Sequence, residues 1–120
     1  MTAGFLDADD AENYLHDWKA RIDRKAADTR AMSDRLADLR VTAADGNGIA
    51  EVTVDSAGVL TGVRFTDRVQ RVAPEATARA VLAAHQAARR KAGEHTRQII
   101  ADTMGADSLA GRAIAERLEK

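Results

Sequence analysis

Large apolar side chains recur early in the chain at alternating steps of three and four: Leu15, Trp18 and Ile22, then Met32, Leu36 and Leu39. Lys25 and Thr29 stand where the same steps would place two more. The spacing predicts a helix from Ala11 to about Asp38, free of Gly and Pro, with a heptad seam along one side. Asp9 followed by Glu12 has the spacing of a capping box, and acidic side chains suit the positive end of a helix dipole. Such a helix runs about 40 Å at 1.5 Å per residue. The seam needs a partner, and a second helix together with another copy of the chain are the candidates, so Leu15, Trp18, Ile22, Met32 and Leu36 are expected at a homodimer interface.

The pattern then changes to period two. Leu39, Val41 and Ala43 alternate with Arg40 and Thr42 as far as the cluster Asp45-Gly46-Asn47-Gly48, a strong turn signal because Gly and Asn tolerate positive φ. Ala50, Val52 and Val54 alternate with polar residues up to a second turn at Ser56-Ala57-Gly58, and Val59, Thr61, Val63 and Phe65 continue beyond it. Three short antiparallel strands are predicted, a meander with one apolar and one wet face. Asp67 is placed to cap a short turn through Gln70, and Pro74 fits the first position of a second long helix. That helix is expected to end near Met104, before Gly105. Its inner line reads Val81, His85, Ala88, Ala92, His95 and Ile99. Ser108 then caps a short amphipathic helix carrying Leu109, Ala113, Ile114 and Leu118. The predicted class is α+β: an α-β-β-β-α domain over residues 1–105 and a tail over 106–120.

Composition narrows the function classes. The 120 residues make one domain, and 45% of them are hydrophobic, but only 3% are aromatic. Much of the apolar share is alanine, so one chain buries little and association is a natural remedy. With no cysteine, disulfides and thiolate metal sites are excluded. No window approaches a membrane span, and the acidic N-terminal stretch lacks the basic-then-apolar order of a signal peptide, so a cytoplasmic protein with no membrane partner is expected.

The net charge of −1 is unevenly spread. Residues 74–101 carry the only positive surplus, five basic against two acidic groups. Within them Arg79, Gln86, Arg90 and Arg97 are spaced by seven, four and seven, which aligns them on one outward stripe, with Arg89 and Lys91 on its flanks. Two such stripes in a dimer would suit phosphate contacts. Lys19, Arg21 and Arg24, with Lys25, form a second cluster on the first helix, diluted by Asp17, Asp23 and Asp28. Scarce aromatics argue against stacking of single-stranded bases. Arg90 and Glu94 have the spacing of an i,i+4 ion pair.

Catalytic signatures are missing. The carboxylates are scattered along helix faces rather than paired in a recess, no serine has a nucleophile's setting, and Asp45-Gly46-Asn47-Gly48 lacks the Lys-Ser/Thr and helix of a phosphate loop. His85 and His95 are ten residues apart, about 15 Å along one helix, which is poor spacing for a metal. No catalytic residue, metal or cofactor is expected.

The order of these elements resembles the YbaB/EbfC family of nucleoid-associated proteins. The likeness is sharpest over Gly46-Asn47-Gly48-Ile49-Ala50-Glu51-Val52-Thr53-Val54-Asp55, a Gly-x-Gly turn leading into an apolar-Val-Thr-Val strand. It continues through Val63-Arg64-Phe65-Thr66-Asp67 and the Ala87-Ala88-Arg89-Arg90 run. The resemblance implies a tweezer-like homodimer whose sheets pair centrally, and double-stranded DNA bound with low sequence specificity on the nucleoid. Arg79, Arg89, Arg90, Lys91 and Arg97, with Lys19, Arg21 and Arg24, are then the expected DNA contacts. A second expectation comes from actinobacterial, EspL-like relatives tied to type VII secretion: a chaperone or interaction module with a secretion-system protein as partner. The bias of 14 Arg to 4 Lys and the near-neutral charge suit it.

Overall fold

The computed structural model describes residues 8–105. Helix α1 (Ala8–Asp38) leads into strands β1 (Val41–Ala44), β2 (Ala50–Val54) and β3 (Leu60–Phe65), then a 3-10 turn (Asp67–Arg71) and helix α2 (Pro74–Met104). This is the α+β order expected from the sequence. The short helix expected from Ser108, with Leu109, Ala113, Ile114 and Leu118, lies outside the described residues. Two boundary readings need correction. Helix α1 already includes Ala8, so Asp9 lies within its first turn with Asp10 rather than capping it; both carboxylates still meet the positive end of the dipole. Thr66, not Asp67, caps the 3-10 turn, its hydroxyl accepting the Arg68 N–H at 3.3 Å.

The sheet runs β1-β2-β3, antiparallel throughout. Both hairpin turns use one device, Asp-x-x-Gly. The Gly48 N–H reaches the Asp45 carbonyl and the Gly58 N–H that of Asp55, and both glycines take positive φ, 67° and 81°. Each aspartate carboxylate then gathers the loop's amides. Asp45 Oδ1 accepts from Ile49 and Ala50 N–H, both at 2.8 Å, and Oδ2 accepts from Asn47 N–H at 3.0 Å. Asp55 Oδ1 accepts from Ala57 and Val59 N–H. Asp45 is buried, only 8% exposed. Burial pushes its pKa up, but the backbone donors Ala50, Asn47 and Ile49 outweigh that and hold it below the ordinary carboxylate value.

Helix α2 packs on β1 and β2, and its C-terminal half runs beside α1. Val41, Val52 and Val54 meet Ala84, Ala88 and Ala92 in the main core, with Leu39, Ala43 and Val81 at its margin. Alanine on the helix lets its backbone approach the sheet, and valine on the strands fills the gap. Of the expected inner line, Ala88, Ala92 and Ile99 are buried, Val81 and His85 only partly, and His95 is exposed. The buried line is instead Ala80, Ala84, Ala88 and Ala92, followed by Thr96, Ile99 and Ile100. At 100° per residue that line drifts around the helix, because the first half faces the sheet and the second half faces α1. His95 falls off the face where the cover changes.

The antiparallel contact with α1 is marked by Arg35–Asp102 at 3.8 Å and by the Thr29 hydroxyl 3.8 Å from Met104 Sδ. The described part of α2 ends there. Upstream of Thr29, α1 runs on for about 30 Å with no other described element packed along it, carrying Leu15, Trp18 and Ile22 with roughly half of each exposed: 60%, 50% and 45%. Met32 and Leu36, on the accompanied stretch, are half-buried. Strand β3 differs from the expected two-faced strand. Val63 and Phe65 pair with Val52 and Ala50 and so share their face, yet every β3 residue is exposed because α2 packs chiefly on β1 and β2. A register shift at Thr53/Val54 sets Leu60 opposite Val54 and extends this uncovered row. The chain measures 87 × 23 × 15 Å, with a radius of gyration of 23.0 Å, against about 14 Å for a compact chain of this length.

Candidate nucleic-acid interface

The α2 stripe stands opposite the alanine line, because residues 79, 90 and 97 fall on one side of the helical wheel while 84, 88 and 92 fall on the other. Arg79, Gln86, Arg90 and Arg97 are all exposed. The sheet that buries one face of α2 therefore fixes the direction of the other. Arg79 to Arg97 spans about 27 Å of helix axis. The expected Arg90–Glu94 ion pair is not formed, and no carboxylate among the described residues is in ion-pair contact with Arg79, Arg90 or Arg97. Their five or so N–H donors each remain available to an external acceptor.

The flanking cations reach back toward the sheet. Lys91 Nζ donates to the Thr42 carbonyl on edge strand β1, 3.2 Å away. Arg89 lies across the β2–β3 turn, so close that a Cβ on Gly58 would sit 3.0 Å from its Nε. Next to it, His85 Nε2 is 3.1 Å from the Gly58 carbonyl oxygen. Gly58 is thus held to glycine twice, by its positive φ and by Arg89 above it. His85 ties α2 to this turn, while His95 is exposed.

Lys19, Arg21 and Arg24 are exposed on the lone part of α1. Arg21 and Arg24 point away from the Leu15–Trp18–Ile22 seam, and Asp17, Asp23 and Asp28 share their half of the helix. They are not brought to the α2 stripe: Arg24 lies roughly 18 Å further along the axis than Arg97, judged from the Thr29–Met104 contact. Sequence reasoning missed Arg68 and Arg71. Both are exposed and line a cleft beside the β1–β2 turn. They were hidden because residues 46–73 balance three basic against three acidic groups, and only the fold brings the two arginines to one cleft. Among the described residues no three His, Asp or Glu side chains converge as a metal site, and no helix is long and apolar enough to cross a membrane.

The family model of the YbaB/EbfC DNA-binding family matches residues 15–107, which takes in α1 from Leu15 onward, the whole sheet and all of α2. Among solved structures, the crystal structure of the uncharacterized protein HP0035 from Helicobacter pylori is similar in fold. Its TM-score is 0.50 at 16% identity, over 83% of this chain and 99% of that one. No curated protein matches the chain.

Proposed function

Since the chain belongs to the YbaB/EbfC DNA-binding family, we propose that it is a non-catalytic, nucleoid-associated protein that binds duplex DNA as a homodimer with low sequence specificity. The observation that carries this reading is the α2 stripe: three aligned arginines, exposed and without carboxylate partners, on a helix whose opposite face is fixed against the sheet. Aligned guanidiniums grip phosphate oxygens, which every duplex offers, and contacts to phosphate carry no sequence information. Location on the nucleoid, within the cytoplasm, follows from the same reading.

The dimer is supported by two uncovered apolar surfaces, the Leu15–Trp18–Ile22 seam and the Leu60–Val63–Phe65 row. The accessible surface of 8705 Å² also exceeds the roughly 6,300 Å² of a compact monomer of this mass. Pairing two copies would cover the excess and set two arginine stripes on one assembly.

Charge reversal tests the reading. Arg79→Glu, Arg90→Glu and Arg97→Glu together should abolish gel shifts of long duplexes at about 50 mM salt, a condition at which phosphate contacts are strong, while the circular dichroism and mass stay unchanged. Full binding by the triple variant would remove α2 as the contact. If the wild-type protein shifts no duplex at low salt, the DNA reading fails and the secretion-type interaction module replaces it.

A further inference from the structure

Ahead of α2 the chain builds a second cationic surface that the stripe does not include. The 3-10 turn Asp67–Arg71 sits beside the β1–β2 turn, and a cleft of about 450 Å³ opens between them, lined by Arg68, Arg71, Asn47, Ile49, Val72 and Ala76. A smaller hollow of about 180 Å³ shares Asn47, Ile49 and Ala76 with it and adds Arg79. Three arginines therefore border one concave run of backbone. Arg68 is anchored there, its guanidinium donating to the Asn47 carbonyl at 3.0 Å. Arg71 and Arg79 are exposed and have no ion-pair partner among the described residues. Among the described residues Asp45 is the one carboxylate lining either hollow, and both its oxygens are taken by the N–H groups of Asn47, Ile49 and Ala50. It does not serve the arginines as a counter-ion.

We propose that this cleft is a phosphate-binding site and that its phosphate is a backbone group of the duplex held along α2. The inference rests on the DNA reading above and extends the contact beyond the start of the helix to the first hairpin. A concave surface bordered by like charges focuses its field, and guanidinium forks match phosphate oxygens in pairs. The remaining lining is Ile49, Val72 and Ala76, with no aromatic ring to stack a base, so the chemistry suits a backbone phosphate rather than a nucleotide recognised through its base. Arg79 borders the hollow and begins the stripe. A duplex lying on Arg97, Arg90 and Arg79 thus meets the cleft as the next stop on its path.

The full chain, labelled with nitrogen-15, is titrated with a long duplex at low salt and separately with inorganic phosphate. Amides of Gly46–Ile49, Val69–Ala73, Glu75 and Ala76 should shift with the duplex. Arg68→Glu with Arg71→Glu should weaken duplex binding at least tenfold and lower the slope of log affinity against log salt by about two units. Ala76→Glu, which puts a carboxylate in the cleft at a helix position that welcomes one, should weaken binding in the same direction without touching the Arg68–Asn47 contact. Unchanged affinity and slope in both variants, with the wild type binding duplex, would overturn the cleft and leave the DNA reading standing. Shifts with inorganic phosphate alone, and no duplex binding by the wild type, would overturn both the duplex as source and the DNA reading, leaving a free-anion site.

Discussion

The two long helices are each 31 residues, and they are built on opposite principles. Helix α1 carries the large apolar side chains, Tyr14, Leu15, Trp18 and Ile22, and has no buried residue at all. Helix α2 has eight buried residues, and the four that face the sheet are alanines. Burial in this chain follows closeness of approach rather than side-chain size. The small residues of α2 let it lie against the valines of β1 and β2, and that contact organises the protomer. The large residues of α1 are left over, displayed where a second copy can reach them. One helix holds the fold and aims the arginines; the other is proposed to hold the dimer.

Matched substitutions should separate the roles of the two helices most sharply. Ala88→Glu places a carboxylate at a position with no exposure, in contact range of the strand valines. An unpaired buried ion carries an effective penalty of several kcal/mol, against a total stability of about 5–15 kcal/mol for a domain. The far-ultraviolet helical signal should collapse or the melting transition should fall out of range. The mirror change, Ile22→Asp on α1, should leave that helical signal largely intact and instead yield monomers by light scattering at micromolar concentration. Losing one large apolar side chain from an interface is worth roughly 1.5–3 kcal/mol, about ten- to a hundredfold in the dimer dissociation constant. If Ile22→Asp unfolds the protomer as Ala88→Glu does, the division of labour between the helices is wrong.

This division was partly legible in the sequence. The helix–meander–helix order could be read because the apolar period changes from 3.6 to 2 and back, with Asp-Gly-Asn-Gly and Pro74 marking the joints. The outward arginine stripe was legible for the same reason, since helical spacing fixes a direction. What covers each face was not. Val63 and Phe65 have the pattern of a half-buried strand, but α2 is one helix wide and packs chiefly on β1 and β2. His95 has the period of a core position, but the packing face rotates where α1 replaces the sheet. The Arg68–Arg71 cleft depends on a 3-10 turn folding against a hairpin twenty residues upstream, which no local period encodes.

The sheet end of α2 should respond to pH through Asp45. The folded pKa of Asp45 lies below its unfolded value, so its carboxylate stabilises the fold above roughly pH 4, where an ordinary aspartate is ionised. That stabilisation is lost as pH falls through the folded value. Asp45→Ala strips the acceptor from the buried Ile49 and Ala50 amides and should cost about 1–3 kcal/mol in urea unfolding at pH 7. The variant should also show a flatter fall in stability between pH 5 and pH 3 than the wild type, a range set by the ordinary carboxylate value. An equally steep fall would mean that other carboxylates govern acid unfolding.

The smallest effect is expected where α2 passes from the sheet to α1. The Thr96 hydroxyl is buried there without a hydrogen-bond partner. Thr96→Val replaces it with a methyl group of the same shape and should stabilise the protein by up to about 1 kcal/mol, read as a rise of a few degrees in Tm. A fall in Tm would mean that the hydroxyl is satisfied in solution.

The most direct test of the central claim is the salt dependence of wild-type binding to two long duplexes of unrelated sequence. If the α2 arginines grip backbone phosphates, both duplexes should bind alike near 50 mM salt. Affinity should then fall steeply and linearly on a log–log plot, by a slope of about one unit for each phosphate contacted. Binding that ignores salt, or that distinguishes the two sequences strongly, would contradict the account.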